Sequence, residues 1–586
     1  MKNKRLLFHR HERAIGCCRS AGIWILLIIA AACSSSPELE WRQERAYRWA
    51  DIPSGPADHY GFELQSPSQT GITFSNTMTE EELADNRHYL NGSGVAAGDV
   101  DGDGLVDLYF AGLKEDNKLY KNVGGMQFED ITNKAGVAHA GHYSTGAVLV
   151  DVNGDGHLDL LVSSIYKDNT LYMNDGKGNF ELHENSGLGA GEGSSTMTLA
   201  DIDGDRDLDL YVAKYKEKSV KDIYSTEELS WDNILNEPYN QQQQSGPFSL
   251  TPPFDDHYRI FMTEDNRLAG LAETGEEDAL YLNKNGVFKK VSNTNERFLD
   301  EQGNPHGLPP DWGLTAKFQD LNGDGKPDLY TCNDFFTKDR VWMNRGGGTF
   351  RLIEKWAVRN LSFACMGVDF SDINRDGELD IFTAEMLSSE HRERLRQVGS
   401  DDPNPEQFRE TTARPTNNRN SLYLKREDLT YAEIAYLSGV EGTGWSWDAT
   451  FMDIDLDGYE DLLVNNGYMY HILDMDAQVS MMRKERNMDE HFTEFIRGAP
   501  SLELRNRIFM NNGDLTFREE GSDLGVEETD ISHGMAVADL NNDGALDLAI
   551  NRMNKEAAVY ENITEAPRIA VRLIGEAPNT QGIGAK

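Results

Sequence analysis

A ten-residue pattern, Asp-x-[Asp/Asn]-x-Asp-Gly-x-x-Asp-[Leu/Ile], recurs seven times along this chain. Its polar positions are Asp99, Asp101, Asp103 and Asp107 in the first copy, and Asp151, Asn153, Asp155 and Asp159 in the second. The third copy has Asp201, Asp203, Asp205 and Asp209, and the fourth Asp320, Asn322, Asp324 and Asp328. The fifth has Asp372, Asn374, Asp376 and Asp380, and the sixth Asp453, Asp455, Asp457 and Asp461. The seventh has Asp539, Asn541, Asp543 and Asp547. Recurrence of one unit about every 50 residues points to a repeat architecture, whatever the length of the chain suggests about domain number.

The residue types fit a hard cation. Calcium takes six to eight oxygen ligands, and carboxylates at positions 1, 3, 5 and 9 of a tight loop can converge on one point. The carbonyl at position 7 supplies another oxygen. This spacing matches the first nine residues of a helix–loop–helix calcium site, but no copy carries Glu at position 12. Several calcium ions are therefore expected, held by the residues named above. Position 6 is Gly, which permits positive φ at a sharp bend. Only the third copy departs, with Arg206 there, so this loop is expected to be strained or altered.

The flanks read as strands. Ala147-Val148-Leu149-Val150 precedes one loop, and Leu160-Leu161-Val162 follows it. Short apolar β-rich runs bounded by turn residues are buried strands. A second element trails each loop, as in Leu119-Tyr120-Lys121-Asn122 with Phe128, or Ile508-Phe509-Met510-Asn511 with Phe517. Its Asn/Gly stretch reads as a hairpin turn. Four short strands per unit match a propeller blade. The fold class is all-β, a seven-bladed β-propeller with calcium loops and partly helical insertions. The insertions, near 215–275, 384–420 and 467–506, follow second strands and must emerge opposite the Asp loops. That face is a candidate binding face. Gly61-Phe62 and Gly71 to Phe74 supply the outer-strand pattern missing after Asn562, so the ring is expected to close there.

The chain carries 99 acidic and 56 basic residues, a net charge of −43. That balance disfavours a nucleic-acid partner, which needs a basic patch. The N-terminus has a basic region, an apolar run from Ile23 to Ala32, and small residues before Cys33. This is the secretory pattern, and the residues before Cys33 look like a bacterial lipobox. The resemblance implies cleavage before Cys33 and its acylation, so the protein is expected to be exported. It would be anchored through lipid to a bacterial membrane, the outer membrane or cell surface. Cys332 and Cys365 can pair or stay as buried thiols.

Gly94-Val95-Ala96-Ala97-Gly98-Asp99 and the loop that follows resemble an FG-GAP repeat, also called VCBS-like. Asn579 to Lys586 is similar to the opening of the ASPIC/UnbV domain of cartilage-acidic-protein-like proteins. These resemblances imply residues 1–32 as lipoprotein signal peptide, 33–57 as tether, 58–565 as propeller and 566–586 as the start of an ASPIC/UnbV-like domain. They also imply an extracellular module for adhesion or for binding a protein or glycan. No Gly-x-Ser-x-Gly, His-Glu-x-x-His or Cys-x-x-Cys stands out. An enzyme acting on glycans or small molecules, in the central channel or at the insertion face, is the alternative. His306, His533, Trp312, Trp445 and Trp447 are the residues to place, with structural roles expected for each.

Overall fold

Each second strand is apolar at consecutive positions, so both of its faces must be covered. In the computed structural model, Leu108 and Phe110 face one cluster of buried side chains while Tyr109 faces the next. The structure describes residues 42–43, 48–49, 59–225, 227–236, 248–262, 267–335, 337–397, 414–482, 500–568, 571 and 573–585. Cys33 and the signal-like segment lie outside these residues, as do Gln241 to Gln244 and Asp401 to Pro405.

Seven sheets form the ring, six of them four-stranded and antiparallel, while blade 4 adds a fifth short strand, Phe298–Leu299, parallel to its outer strand Phe350–Leu352. Blade 1 is Val95–Gly98, Asp107–Phe110, Lys118–Gly124 and Gln127–Asp130. Blades 2 to 6 repeat this order with first strands Ser144–Val150, Ser194–Ala200, Gly313–Gln319, Gly367–Ser371 and Ser446–Met452. Blade 7 runs Ser532–Ala538, Asp547–Arg552 and Ala558–Asn562, and takes its outer strand, Phe62–Gln65, from the other end of the chain. That strand pairs antiparallel, with Phe62 opposite Asn562 and Gln65 opposite Val559. Each first strand packs against the first strands of both neighbouring blades, and blade 7 returns to blade 1. The second half of the expected closing element does not form the strand. Ile72 and Phe74 instead pack between blades 7 and 1, and Phe74 accepts a backbone bond from Ala557 (2.8 Å).

Seven apolar clusters fill the seams between blades. The seam of blades 3 and 4 holds the fully buried Trp342 with Phe298 and Phe350. That of blades 4 and 5 holds Cys332 and Cys365, both buried free thiols. An eighth cluster lies at the end of the ring away from the Asp loops. It joins Tyr89 and Leu90 of an N-terminal segment to Tyr215, Trp312, Trp445, Trp447 and Tyr468.

The insertions are partly helical. The first contains Val220–Ile223, Trp231–Ile234 and a hairpin of Tyr258–Met262 with Leu268–Glu273. The second contains the helix His391–Gln397, and the third begins with Met475–Met482. Among the described residues no helix is long and apolar enough to cross a membrane.

Candidate metal centres

A chain reversing within a few residues around a carboxylate needs backbone N–H groups to turn inward. In loop 1, Asp99 Oδ1 accepts from Gly102 N (2.7 Å) and Oδ2 from Gly104 N (2.9 Å). The same first-position carboxylate accepts from position 6 in loops 2, 4, 5, 6 and 7. At position 5, Oδ1 of Asp103, Asp155, Asp205, Asp324, Asp376, Asp457 and Asp543 caps the N–H of position 7 in all seven loops. Two residues per loop take positive φ, at positions 4 and 6. Arg206 does so at φ 75°, so loop 3 keeps the common shape with a non-glycine residue there. Position 4, which the sequence did not single out, is Arg375, Leu456 or Asn542 in loops 5, 6 and 7, at φ 57–61°.

The ninth-position Asp begins each second strand and is buried. Asp159 Oδ2 accepts from Val152 N (3.2 Å) and Oδ1 from Asn174 N (2.9 Å). Asn174 belongs to the trailing element, where the sequence suggested only a hairpin turn. Its amide donates to Leu158 O in its own loop (2.9 Å) and to Val100 O in the preceding blade's loop (2.8 Å). Asn122, Asn283, Asn344 and Asn511 make the same bond to the preceding blade. With Asn174, these asparagines link five of the seven pairs of neighbouring loops, whereas Asn562 of blade 7 donates to Leu546 O of its own loop (3.2 Å). Blade 5 has Lys425 there, and its ammonium pairs with Glu378 instead.

Three loops bring three carboxylates to one point. Ligand oxygens lie within 4.8 Å of one another in Asp99, Asp101 and Asp107, in Asp201, Asp203 and Asp209, and in Asp453, Asp455 and Asp461. Loops 2, 4, 5 and 7 have Asn at position 3. There Asn153, Asn374 and Asn541 donate to the position-5 carboxylate, and Asn322 accepts from the Asp324 N–H. The donors are all hard oxygens, and Asp101 Oδ1 is buried with no hydrogen-bond partner. A cation would satisfy that atom and the like charges beside it. In loop 1 Lys121 partly takes that role, pairing with Asp101 and with Asp103 (2.9 Å).

Burial pushes the Asp159 carboxyl up to about 7, and Asp155 and Asp151 add repulsion. Asp461 is pushed up to about 8 and Asp547 to about 7 for the same reasons. A carboxyl raised by folding binds its proton more tightly in the folded chain. Unfolding then releases protons between 3.8 and about 7, and stability falls as pH rises through that window. The metal-free chain is thus expected to unfold at lower urea near about pH 8 than near about pH 5. Equal midpoints in chelator at the two pH values would contradict this.

Around the axis, the first strands line a cavity of about 390 Å³. His88, Asn91 and Gly92 of the N-terminal segment border it, together with Trp447 and His533. Lys317, which lines it, pairs with Asp369 on the neighbouring first strand (3.1 Å), and Asp448 lies beside them. Burial alone would lower the Lys317 ammonium, but Asp369 and Asp448 hold it above its ordinary value. His533 Nε2 contacts Leu90 O (3.1 Å), and burial drops its pKa to about 4. His306 contacts Gly307 O (2.8 Å) and abuts Trp342. Trp312 donates to Glu273 O (3.1 Å), Trp447 donates to Gly467 O (2.7 Å), and Trp445 stacks on Tyr468 at 4.0 Å. All three tryptophans are buried, so the centre of the insertion face is packed.

Residues 99–162, 151–212 and 320–383 match the FG-GAP-like repeat. The chain carries FG-GAP-like repeats on a β-propeller. Cartilage acidic protein 1 of Xenopus tropicalis is 28% identical over 102 residues, which is 17% of this chain and 15% of that protein. Among solved structures, BBS1N, crystallised with ARL6DN, is 9% identical with a TM-score of 0.40, covering 87% of this chain and 98% of BBS1N. Sqt1 of Saccharomyces cerevisiae is 9% identical with a TM-score of 0.34, covering 84% of this chain and all of Sqt1.

Proposed function

We propose that the FG-GAP propeller is a calcium-binding module of an extracytoplasmic surface lipoprotein that binds a protein or glycan. One observation carries the calcium reading. The same loop recurs in seven blades, and in three of them carboxylates at positions 1, 3 and 9 converge around a buried ninth-position Asp. Clustered carboxylates repel unless a cation or protons neutralise them. Calcium suits all-oxygen sites of this kind. When bound, it would neutralise the loops and fix the carboxylates of positions 1, 3 and 9. Asn122, Asn174, Asn283, Asn344 and Asn511 would then tie the filled loops of their blades to the preceding ones.

The residues preceding Cys33 and the net charge of −43 support export, a lipid anchor and a partner that is not a nucleic acid. The likeness of Asn579 to Lys586 to the opening of the ASPIC/UnbV domain supports reading residues 566–586 as ASPIC/UnbV-like. Equilibrium dialysis against calcium, followed by metal analysis, is expected to give several ions per chain. A chain that retains none at millimolar calcium, on the order of the weakest extracellular sites, would overturn the reading.

A further inference from the structure

Asp151 differs from its six equivalents. It is 1% exposed, whereas the first aspartate of every other loop is partly exposed. Residues after the propeller cover it. Thr580 Oγ1 donates to Asp151 Oδ2, and Gln581 Oε1 lies 3.5 Å from the Asp151 N–H. Glu576 lies 3.4 Å from Arg206 of the neighbouring loop 3. Upstream, Arg568 lies 3.3 Å from Asp543 in loop 7, so this extension contacts loops on three blades.

The loop itself is shaped for the contact. A Cβ on Gly154 would sit 2.7 Å from Pro578 Cα. The equivalent position tolerates Arg375, Leu456 and Asn542 in loops 5 to 7. Glycine at 154 therefore matches the approach of the segment as well as the positive φ.

A carboxylate oxygen offers about two lone-pair directions. Asp151 Oδ1 accepts from Gly154 N (2.7 Å) and Asp155 N (3.2 Å). Oδ2 accepts from Gly156 N (2.8 Å) and from Thr580. All four directions are taken. Asp99, by contrast, keeps one direction free on each oxygen after its bonds to Gly102 and Gly104. A cation entering loop 2 must displace a donor from Asp151, and Thr580 is the one not fixed by the loop backbone.

We propose that loop 2 is the docking socket for residues 576–581, and that a divalent cation and this segment compete for Asp151. The competition rests on the calcium reading of the Asp loops. Binding of either partner then weakens the other by the same factor.

Hydrogen exchange on the full chain tests this, with bound ions counted in the same samples. In chelator, Gly575 and Gly582 are expected to be protected by their bonds to Thr580 O (2.7 Å) and Asn579 O (3.2 Å) within the docked turn. Saturating calcium is expected to speed their exchange by roughly tenfold or more, the scale of one lost bond to a charged acceptor. Gly154→Arg, which copies loop 5, should give fast exchange with or without calcium. Thr580→Val, which leaves the propeller untouched, should do the same. Bound calcium with unchanged or slower exchange would overturn the competition while leaving the calcium reading intact. No bound calcium would overturn the calcium reading itself, and the competition with it.

Discussion

Deleting residues 1–66 should open the ring and cost more stability than any single substitution. The deleted strand supplies the whole outer edge of blade 7. Phe62 is buried in the seam of blades 6 and 7, and its N–H donates to Leu524 O (2.8 Å). Losing a buried aromatic of this kind alone costs about 3–5 kcal/mol. The deletion also leaves Ala558–Asn562 as an unpaired edge, which can pair with another chain. The expected result is a lower urea midpoint together with concentration-dependent association on a sizing column. A truncated chain that stays monomeric with an unchanged midpoint would show that closure contributes little.

Asn511→Ala is expected to cost about 2–4 kcal/mol, through buried polar groups left without partners. The side chain of Asn511 donates to Ile373 O of the preceding blade (2.9 Å) and to Glu460 O (3.1 Å), and accepts from Gly513 N (2.9 Å). Truncation strands two carbonyls and one amide at once. Lys425 provides the control, since blade 5 lacks this link and its Lys425 reaches Glu378 at the loop rim. Lys425→Asn should therefore be close to neutral. Urea unfolding of both variants separates the two cases. If Asn511→Ala is also neutral, the asparagines do not couple the loops.

Much of this architecture was legible in the sequence because it is periodic. The Asp spacing and the apolar runs beside it mark loop and second strand directly, and the trailing aromatics mark the outer hairpin. The missing outer strand of blade 7 was legible as a gap in the repeat, filled by Phe62. What escaped was whatever depends on contacts between repeats. Arg375 and Leu456 give no sign of positive φ, because the loop hydrogen bonds impose it on residues with no intrinsic preference for it. The trailing asparagine looks like a turn residue, because its partner in the preceding blade is distant in sequence. Arg206 suggested a strained or altered loop; it takes the glycine conformation at φ 75°, which is strained for arginine, yet the loop keeps its shape and Asp201, Asp203 and Asp209 converge. The N-terminal segment around Tyr89 belongs to no repeat, and only packing shows that it borders the channel.

The most direct test of the metal reading is thermal unfolding of the chain at about pH 8, in chelator and in excess calcium. A ligand bound only by the folded state stabilises it by mass action, and several sites add their effects. Calcium is expected to raise the unfolding temperature by a large amount, and by less near about pH 5, where the ninth-position carboxyls hold protons. Coincident curves in chelator and calcium at both pH values would contradict the metal reading, and would leave the Asp loops as hydrogen-bonded turns that need no cation.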